Sequence, residues 1–273
     1  IFDNNGPWVG FISIVSIIFM LLCVILIKGP AVLTTPFTGV NSFYAIFPYA
    51  GMVTLFLAVL LFSCNAFVKE IKVFCRETGM STRELYSPGA HFRAIKDTLR
   101  LRYLDGGGDG CNYPDDRFRK DRKWWHHLVF YGFLLCLAST TIAAFKDHFL
   151  HIPAPYPVFS LPVMLGIAGG ISMVMGTGGL FYLKKQMDQD PAEPAVQGMD
   201  SSFILLLFFT ALSGLVLLAL RETAFMGGTL IIHLALVLAL FVTMPFGKFV
   251  HGIYRYLALV KNAVEQSDDA HKA

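Results

Sequence analysis

His233 and His251 stand eighteen residues apart on what reads as the last membrane-spanning helix of the chain. That is about five turns at 3.6 residues per turn, so on one unbroken helix both imidazoles face the same side. A further pair, His126 and His127, opens an earlier apolar stretch that must run antiparallel to it. Imidazoles offered by two facing membrane helices are what a haem needs, because its iron takes one axial nitrogen from each side of the porphyrin plane. Adjacent residues point about 100° apart on a helix, so only one of His126 and His127 faces the bundle easily, and His127 is favoured. His148 lies twenty-one residues beyond His127, near the far end of the same stretch. The spans from 127 to 148 and from 251 to 233 are about 31 Å and about 27 Å of helix. An inner pair, His127 with His251, and an outer pair, His148 with His233, are thereby allowed, and one haem or two fit the pattern.

Each histidine also has an ordinary reading. His233 sits in Ile231-Ile232-His233-Leu234-Ala235-Leu236 at intramembrane depth, where a polar side chain must be satisfied and ligation outweighs plain packing. His251 is nearer the surface, and its phase relative to His233 passes through Pro245 and Gly247, where a kink would rotate it away. Lys248 and Arg255 flank it at about one turn, placed to meet haem propionates. His148 reads equally as an interfacial loop histidine. The five cysteines, at 23, 64, 75, 111 and 136, contain no Cys-x-x-Cys, so no iron–sulfur cluster, structural zinc or covalently attached haem is expected of this chain by itself. A haem here is non-covalent and b-type.

The elements that must position these residues are membrane helices. Of 273 residues 55% are hydrophobic and 15% charged, with 25 Phe, a balance that excludes an ordinary soluble domain. Six apolar runs are long enough to cross a bilayer: 9–27, 48–68, 128–145, 163–183, 202–220 and 224–246. The first lacks the basic start and cleavage site of a signal peptide and reads as a retained helix. The chain opens on Ile1 rather than Met, and an upstream segment is expected. Nineteen of the twenty-two Lys and Arg fall in 69–126, just after 183, or from 248 onward, so the positive-inside rule puts both termini in the cytoplasm. The predicted fold is all-α, a polytopic bundle of six transmembrane helices: 1–68 with two spans, 69–126 a cytoplasmic loop, 127–262 a four-helix haem-binding region, and 263–273 a tail.

Local sequence supports the boundaries. Pro48 suits a first helical turn, and Asp200, Ser201 and Ser202 offer capping oxygens before the fifth span. Gly166, Gly169, Gly170, Gly176, Gly178 and Gly179 allow a neighbouring backbone or a flat cofactor to approach the fourth, helix packing being the plainer reading. Trp124 and Trp125 suit an interfacial anchor. In the loop, Phe92, Ile95, Leu99 and Tyr103 recur at helical spacing among Arg93, Lys96, Arg100 and Arg102, a helix suited to the bilayer surface. The Gly-rich segment 103–116 lacks the Gly-Lys-Ser/Thr of a phosphate loop; it reads either as a docking surface for a soluble partner or as a self-packed loop.

Several strings together resemble a known family: 103–116, His126-His127-Leu-Val-Phe-Tyr-Gly-Phe-Leu-Leu-Cys136, Pro153-Ala-Pro-Tyr-Pro-Val-Phe-Ser-Leu-Pro162, Leu220-Arg-Glu-Thr-Ala224 and Met244-Pro-Phe-Gly-Lys-Phe-Val-His-Gly-Ile-Tyr-Arg255. They look like the membrane subunit of tricarballylate and citrate utilisation systems, the TcuB/CitB type, from Asn41 to about Asn262. The resemblance implies electron transport in the cell inner membrane: a cytochrome b that takes electrons from a soluble flavoprotein dehydrogenase, through an iron–sulfur domain on the cytoplasmic side, and passes them through haem b to quinone. The cysteine-rich iron–sulfur region that family carries ahead of its membrane part is missing from this sequence. The last helix is also similar to that of the dihaem cytochrome b subunit of respiratory nitrate reductase, which maps onto His233, His251 and His127. The fourth ligand of that pattern falls at Leu137, beside Cys136, which leaves His148 as a substitute.

The polypeptide is thus expected to hold an electron carrier rather than to make or break bonds. Quinone would meet a haem edge near Lys146, Asp147, Arg221 and Glu222 on the outer side, or Lys248 and Arg255 on the inner, although each suits a plain interfacial charge better. Two other classes compete, a small transporter with His233 as its proton or substrate site and a haem-free anchor for a soluble dehydrogenase. No inverted repeat and few intramembrane charges speak for the transporter, and no nucleic-acid partner is expected.

Overall fold

The computed structural model describes residues 5–104, 119–186 and 194–272. Among them the chain is helical without strands, with α1 (Asn5–Lys28), α2 (Ser42–Ile46), α3 (Tyr49–Glu77), α4 (Thr82–Leu85), α5 (Pro88–Arg100), α6 (Asp121–His148), α7 (Leu161–Gln186), α8 (Pro194–Leu220), α9 (Met226–Thr243) and α10 (Val250–Lys272). Six of these, α1, α3, α6, α7, α8 and α9, contain stretches long and apolar enough to cross a membrane. The protein is a polytopic helical membrane protein, as composition and hydropathy predict. The segment 105–118, which holds most of the Gly-rich string and Cys111, lies outside the described residues, as do 187–193.

α9 is the central helix. Ile231, Ala235 and Ala239 on it are fully buried, and α1, α3 and α8 surround it while α6 joins the bundle through α7. Lipid tails are as apolar as leucine, so this packing rests on close contact rather than on hydrophobic transfer. The α6–α7 pair shows how. A Cβ added at Gly169 would lie 2.8 Å from the Gly132 carbonyl oxygen and the Cys136 sulfur, and one at Gly179 would run into the Trp125 indole. The fourth-helix glycines at 169, 176 and 179 therefore serve backbone and side-chain approach to α6, not a flat cofactor.

Contacts at both ends fix the antiparallel order. At the outer end the Tyr44 hydroxyl donates to Asp147 at 2.6 Å, Tyr49 and His148 share a hydrogen bond of 2.8 Å, and Arg221 donates to the Tyr156 carbonyl at 2.8 Å. At the inner end Asp200 accepts ion pairs from Lys248 (2.8 Å) and Lys184 (3.5 Å). α8 already starts at Pro194, so Asp200, inside the helix rather than capping its start, ties α8 to α7 and to the segment just before α10.

The largest departure from the sequence expectation is at the end of the sixth span. α9 stops at Thr243, a short 3-10 turn covers Met244–Phe246, and Gly247 is extended before α10 begins. Pro245 has no N–H to give, which frees the carbonyl of Phe241 four residues earlier. The buried Ser63 hydroxyl of α3 donates to that carbonyl at 2.7 Å, so the break is satisfied from a neighbouring helix. His233 and His251 consequently stand on different helices, and the five-turn spacing argument does not apply to them.

α10 turns back onto the loop between α3 and α6. Val260 and Ala263 pack on Ala90 and Ala94 of α5, Tyr254 stacks on Phe74 and donates to Glu70, and Lys261 donates to the Thr78 carbonyl. α4 carries a complete capping box, Ser81 with Glu84. α5 presents Phe92, Ile95 and Leu99 outward and ends at Arg100, because Leu101 takes a left-handed conformation; Tyr103 falls in a separate turn. α10 also runs on through residue 262, where a separate tail was expected to begin.

Candidate functional site

The inner rim of the bundle gathers two of the sequence-nominated histidines. His126 lies in the second turn of α6 and His251 in the first turn of α10, with ring centres 6.4 Å apart and ring planes at 83°. The break at Pro245 and Gly247 makes this meeting possible: a helix continuing from α9 would carry residue 251 away along its own axis, whereas the turn brings α10 back over the end of α6. Phe249, two residues before His251, wedges the turn in place against Phe67, Phe133 and Phe203 from α3, α6 and α8.

The separation of the two rings is that of imidazoles sharing one metal. Imidazoles that ligate one iron from opposite sides, each nitrogen about 2 Å from the metal and each ring centre about 1 Å behind its nitrogen, stand roughly 6 Å apart. His251 Nδ1 is engaged by the Lys248 carbonyl, which leaves Nε2 as the nitrogen for a ligand, and a backbone carbonyl on the other nitrogen is the usual orienting partner of a metal-bound histidine. Nδ1 of His126 is buried and meets no hydrogen-bond partner among the described residues, an uncommon state for a buried polar atom and one that a ligand would relieve. Part of His251 reaches solvent, yet its ring is crowded enough for desolvation to push its pKa below the ordinary imidazole range. The Lys248 carbonyl opposes that shift, while Arg255 and Lys248 reinforce it. The neutral form that results is the one that binds a metal. Among the described residues no three His, Cys, Asp or Glu side chains converge as a metal site, and a two-histidine pair is sufficient where a macrocycle brings the other four nitrogens.

The remaining nominated residues are placed elsewhere. His127 turns the other way, toward Tyr131, with ring centres 5.7 Å apart, and lines a basic cavity between α5, α6 and α10. His233 meets Ser213 of α8 through Nδ1 at 3.0 Å and presses on Gly214, where an added Cβ would lie 3.0 Å from the ring. His148 is exposed and held by Tyr49. The outer pair, His148 with His233, is thus divided between two different sets of partners. Lys248 is committed to Asp200, while Arg255 is exposed near the His126–His251 pair. At the outer rim Lys146 lies 5.1 Å over the Tyr156 ring and Arg221 pairs with Glu222 at 3.8 Å. Sequence reasoning missed the Tyr44–Asp147 bond, because α2 is too short to register in hydropathy. Burial, then the Asp147 hydrogen bond and charge, raise the pKa of that tyrosine.

Fold and site define a helical membrane protein with six helices long and apolar enough to cross a membrane, one rim of which brings two imidazoles together across a helix break. Residues 9–272 match the family model of citrate utilization protein B, and the chain is 40% identical over 267 residues to citrate utilization protein B of Escherichia coli, covering 97% of this chain and 69% of that protein. The chain belongs to the citrate utilization protein B family. No solved structure matches it.

Proposed function

We propose that this chain is the membrane cytochrome b of a citrate- or tricarballylate-utilisation system, with one haem b held between His126 and His251. The observation that carries the reading is the ring pair itself, 6.4 Å apart at 83°, with one member fixed by a backbone carbonyl and the other holding a buried nitrogen that has no hydrogen-bond partner among the described residues. The likeness to citrate utilization protein B of Escherichia coli supports the citrate role. A haem held there would relay single electrons from a cytoplasmic flavoprotein dehydrogenase, by way of an iron–sulfur domain outside this chain, to quinone in the inner membrane.

The protein's own residues do four things in this reading. His126 and His251 would hold the iron, each through one ring nitrogen. The Lys248 carbonyl sets the tautomer of His251 and strengthens it as a donor. Arg255 is positioned to offset propionate charge. Phe67, Phe133, Phe203 and Phe249 keep water from the bundle side of the site. His233 and His148 take packing and interfacial roles, so the reading assigns one haem and not two.

The test is the spectrum of the full chain purified from cells supplied with haem. A dithionite-reduced b-type α-band that a short-chain quinone bleaches is the expected result. A colourless, correctly folded preparation would overturn it and return the chain to a haem-free anchor or a transporter.

A further inference from the structure

The cavity that His127 lines has no part in the electron-transfer reading, and its chemistry is of another kind. It measures about 740 Å³ and lies between α5, α6 and α10. Arg93, Lys96 and Arg100 of α5, Arg102 just after it and Lys123 of α6 all line it. Asp97 is the carboxylate on its wall, and Arg102 takes that charge at 3.6 Å. Arg93, Lys96 and Arg100 are exposed and make no ion pair among the described residues. Arg93, Lys96 and Arg100 thus make the α5 wall of the cavity cationic among the described residues, a surface that attracts anions.

The position of the cavity narrows the anion. Among its lining residues is Tyr131, ten residues into α6 and therefore about 15 Å along that helix, where the span is already apolar. Tyr131 donates its hydroxyl to the Leu99 carbonyl at 2.7 Å, which pins the end of α5 at that depth. On the same helix Phe92 is 72% exposed, with Ile95 and Leu99 also outward, an apolar stripe one step round from the basic one. Such a helix lies in the interface with its apolar side in the acyl region and its basic side at headgroup level. Trp124, 66% exposed at the start of α6, marks the same level. The basic lining and the apolar stripe of α5 thus lie side by side on one interfacial helix, a pairing that suits an anion carrying acyl chains better than a freely soluble one.

We propose that this cavity binds the phosphodiester headgroup of an acidic phospholipid from the cytoplasmic leaflet, with the arginine forks on phosphate oxygens and the acyl chains descending beside Tyr131 and Leu99. The site neighbours the histidine pair but needs nothing from it. Occupancy would neutralise the α5 cations and hold α5 and α10 against α6.

The full chain in nanodiscs tests this, with brominated phosphatidylglycerol in a phosphatidylcholine background and quenching of the tryptophans at 124 and 125 as readout after Trp8→Phe. The triple variant Arg93→Gln, Lys96→Gln, Arg100→Gln should weaken quenching about tenfold or more in lipid affinity, and Arg100→Gln alone about threefold. Lys69→Gln, Lys72→Gln, Arg76→Gln, which removes the same charge from the inner end of α3, should leave it unchanged. Equal loss in both triple variants would mean diffuse surface attraction and overturn the proposal. So would full displacement by millimolar glycerol 1-phosphate or inorganic phosphate, which would show a soluble-anion site instead. Should the triple variant fail to fold, the single variant against the α3 variant decides.

Discussion

The ring of His233 illustrates how little an intramembrane histidine says until its partners are known. By type and depth it outranked every other residue as a ligand, yet it bonds Ser213 and fills the space beside Gly214. Ser213 has a second acceptor in the Thr210 carbonyl at 2.9 Å, so His233→Ala leaves no stranded hydroxyl. It should cost about 1–3 kcal/mol, the lost interhelical hydrogen bond together with the space left beside Gly214, and leave any reduced spectrum intact, which absorbance and thermal unfolding of one preparation would measure together. Tyr254 makes a separate prediction. Burial, with Glu70 beside it, pushes its phenol up to about 12, against about 10 in an unfolded chain. A raised pKa means that the folded state favours the protonated form, so the contribution is complete below pH ~10 and fades as pH climbs toward ~12. In detergent, the melting temperature of Tyr254→Phe should decline less steeply over that window than that of the wild type. An identical decline would remove Tyr254 from the explanation.

At the level of elements, hydropathy located all six spans because each is a long run of apolar residues, and the helix α5 because its apolar positions recur at 92, 95 and 99. What it could not supply was direction. Pro245 and Gly247 were visible as a potential kink, but the angle depends on Ser63, 178 residues away in sequence, satisfying the Phe241 carbonyl. The choice between His126 and His127 likewise depends on where α10 lies, and α10 is an amphipathic helix that no membrane-span criterion finds. Two variants probe these elements. Ser63→Ala leaves a buried carbonyl unpaired and should cost about 1–3 kcal/mol, read as a lower unfolding temperature. Gly169→Leu drives a side chain into Gly132 and Cys136 and should cost about 1–3 kcal/mol or prevent the α6–α7 pair from forming; unchanged stability would contradict the close approach described above.

For the whole molecule, the arrangement is a membrane bundle with a cytoplasmic layer, α4, α5 and α10, folded against its inner rim. Orientation follows from charge, nineteen of twenty-two Lys and Arg lying on that side, so a fluorescent-protein fusion at the C-terminus should mature and an alkaline-phosphatase fusion there should stay inactive. The layer explains why the histidine pair sits at the rim: one imidazole comes from a membrane span and the other from a surface helix, and the break between α9 and α10 joins them. The most direct test of that claim is haem bound per polypeptide, by pyridine haemochrome, in the wild type and in His126→Ala, His251→Ala and His127→Ala. The account predicts one haem per chain in the wild type, retention in His127→Ala, and loss in both His126→Ala and His251→Ala with the helical content unchanged. Haem retained in either of the latter two, or lost on substituting His127, would contradict it.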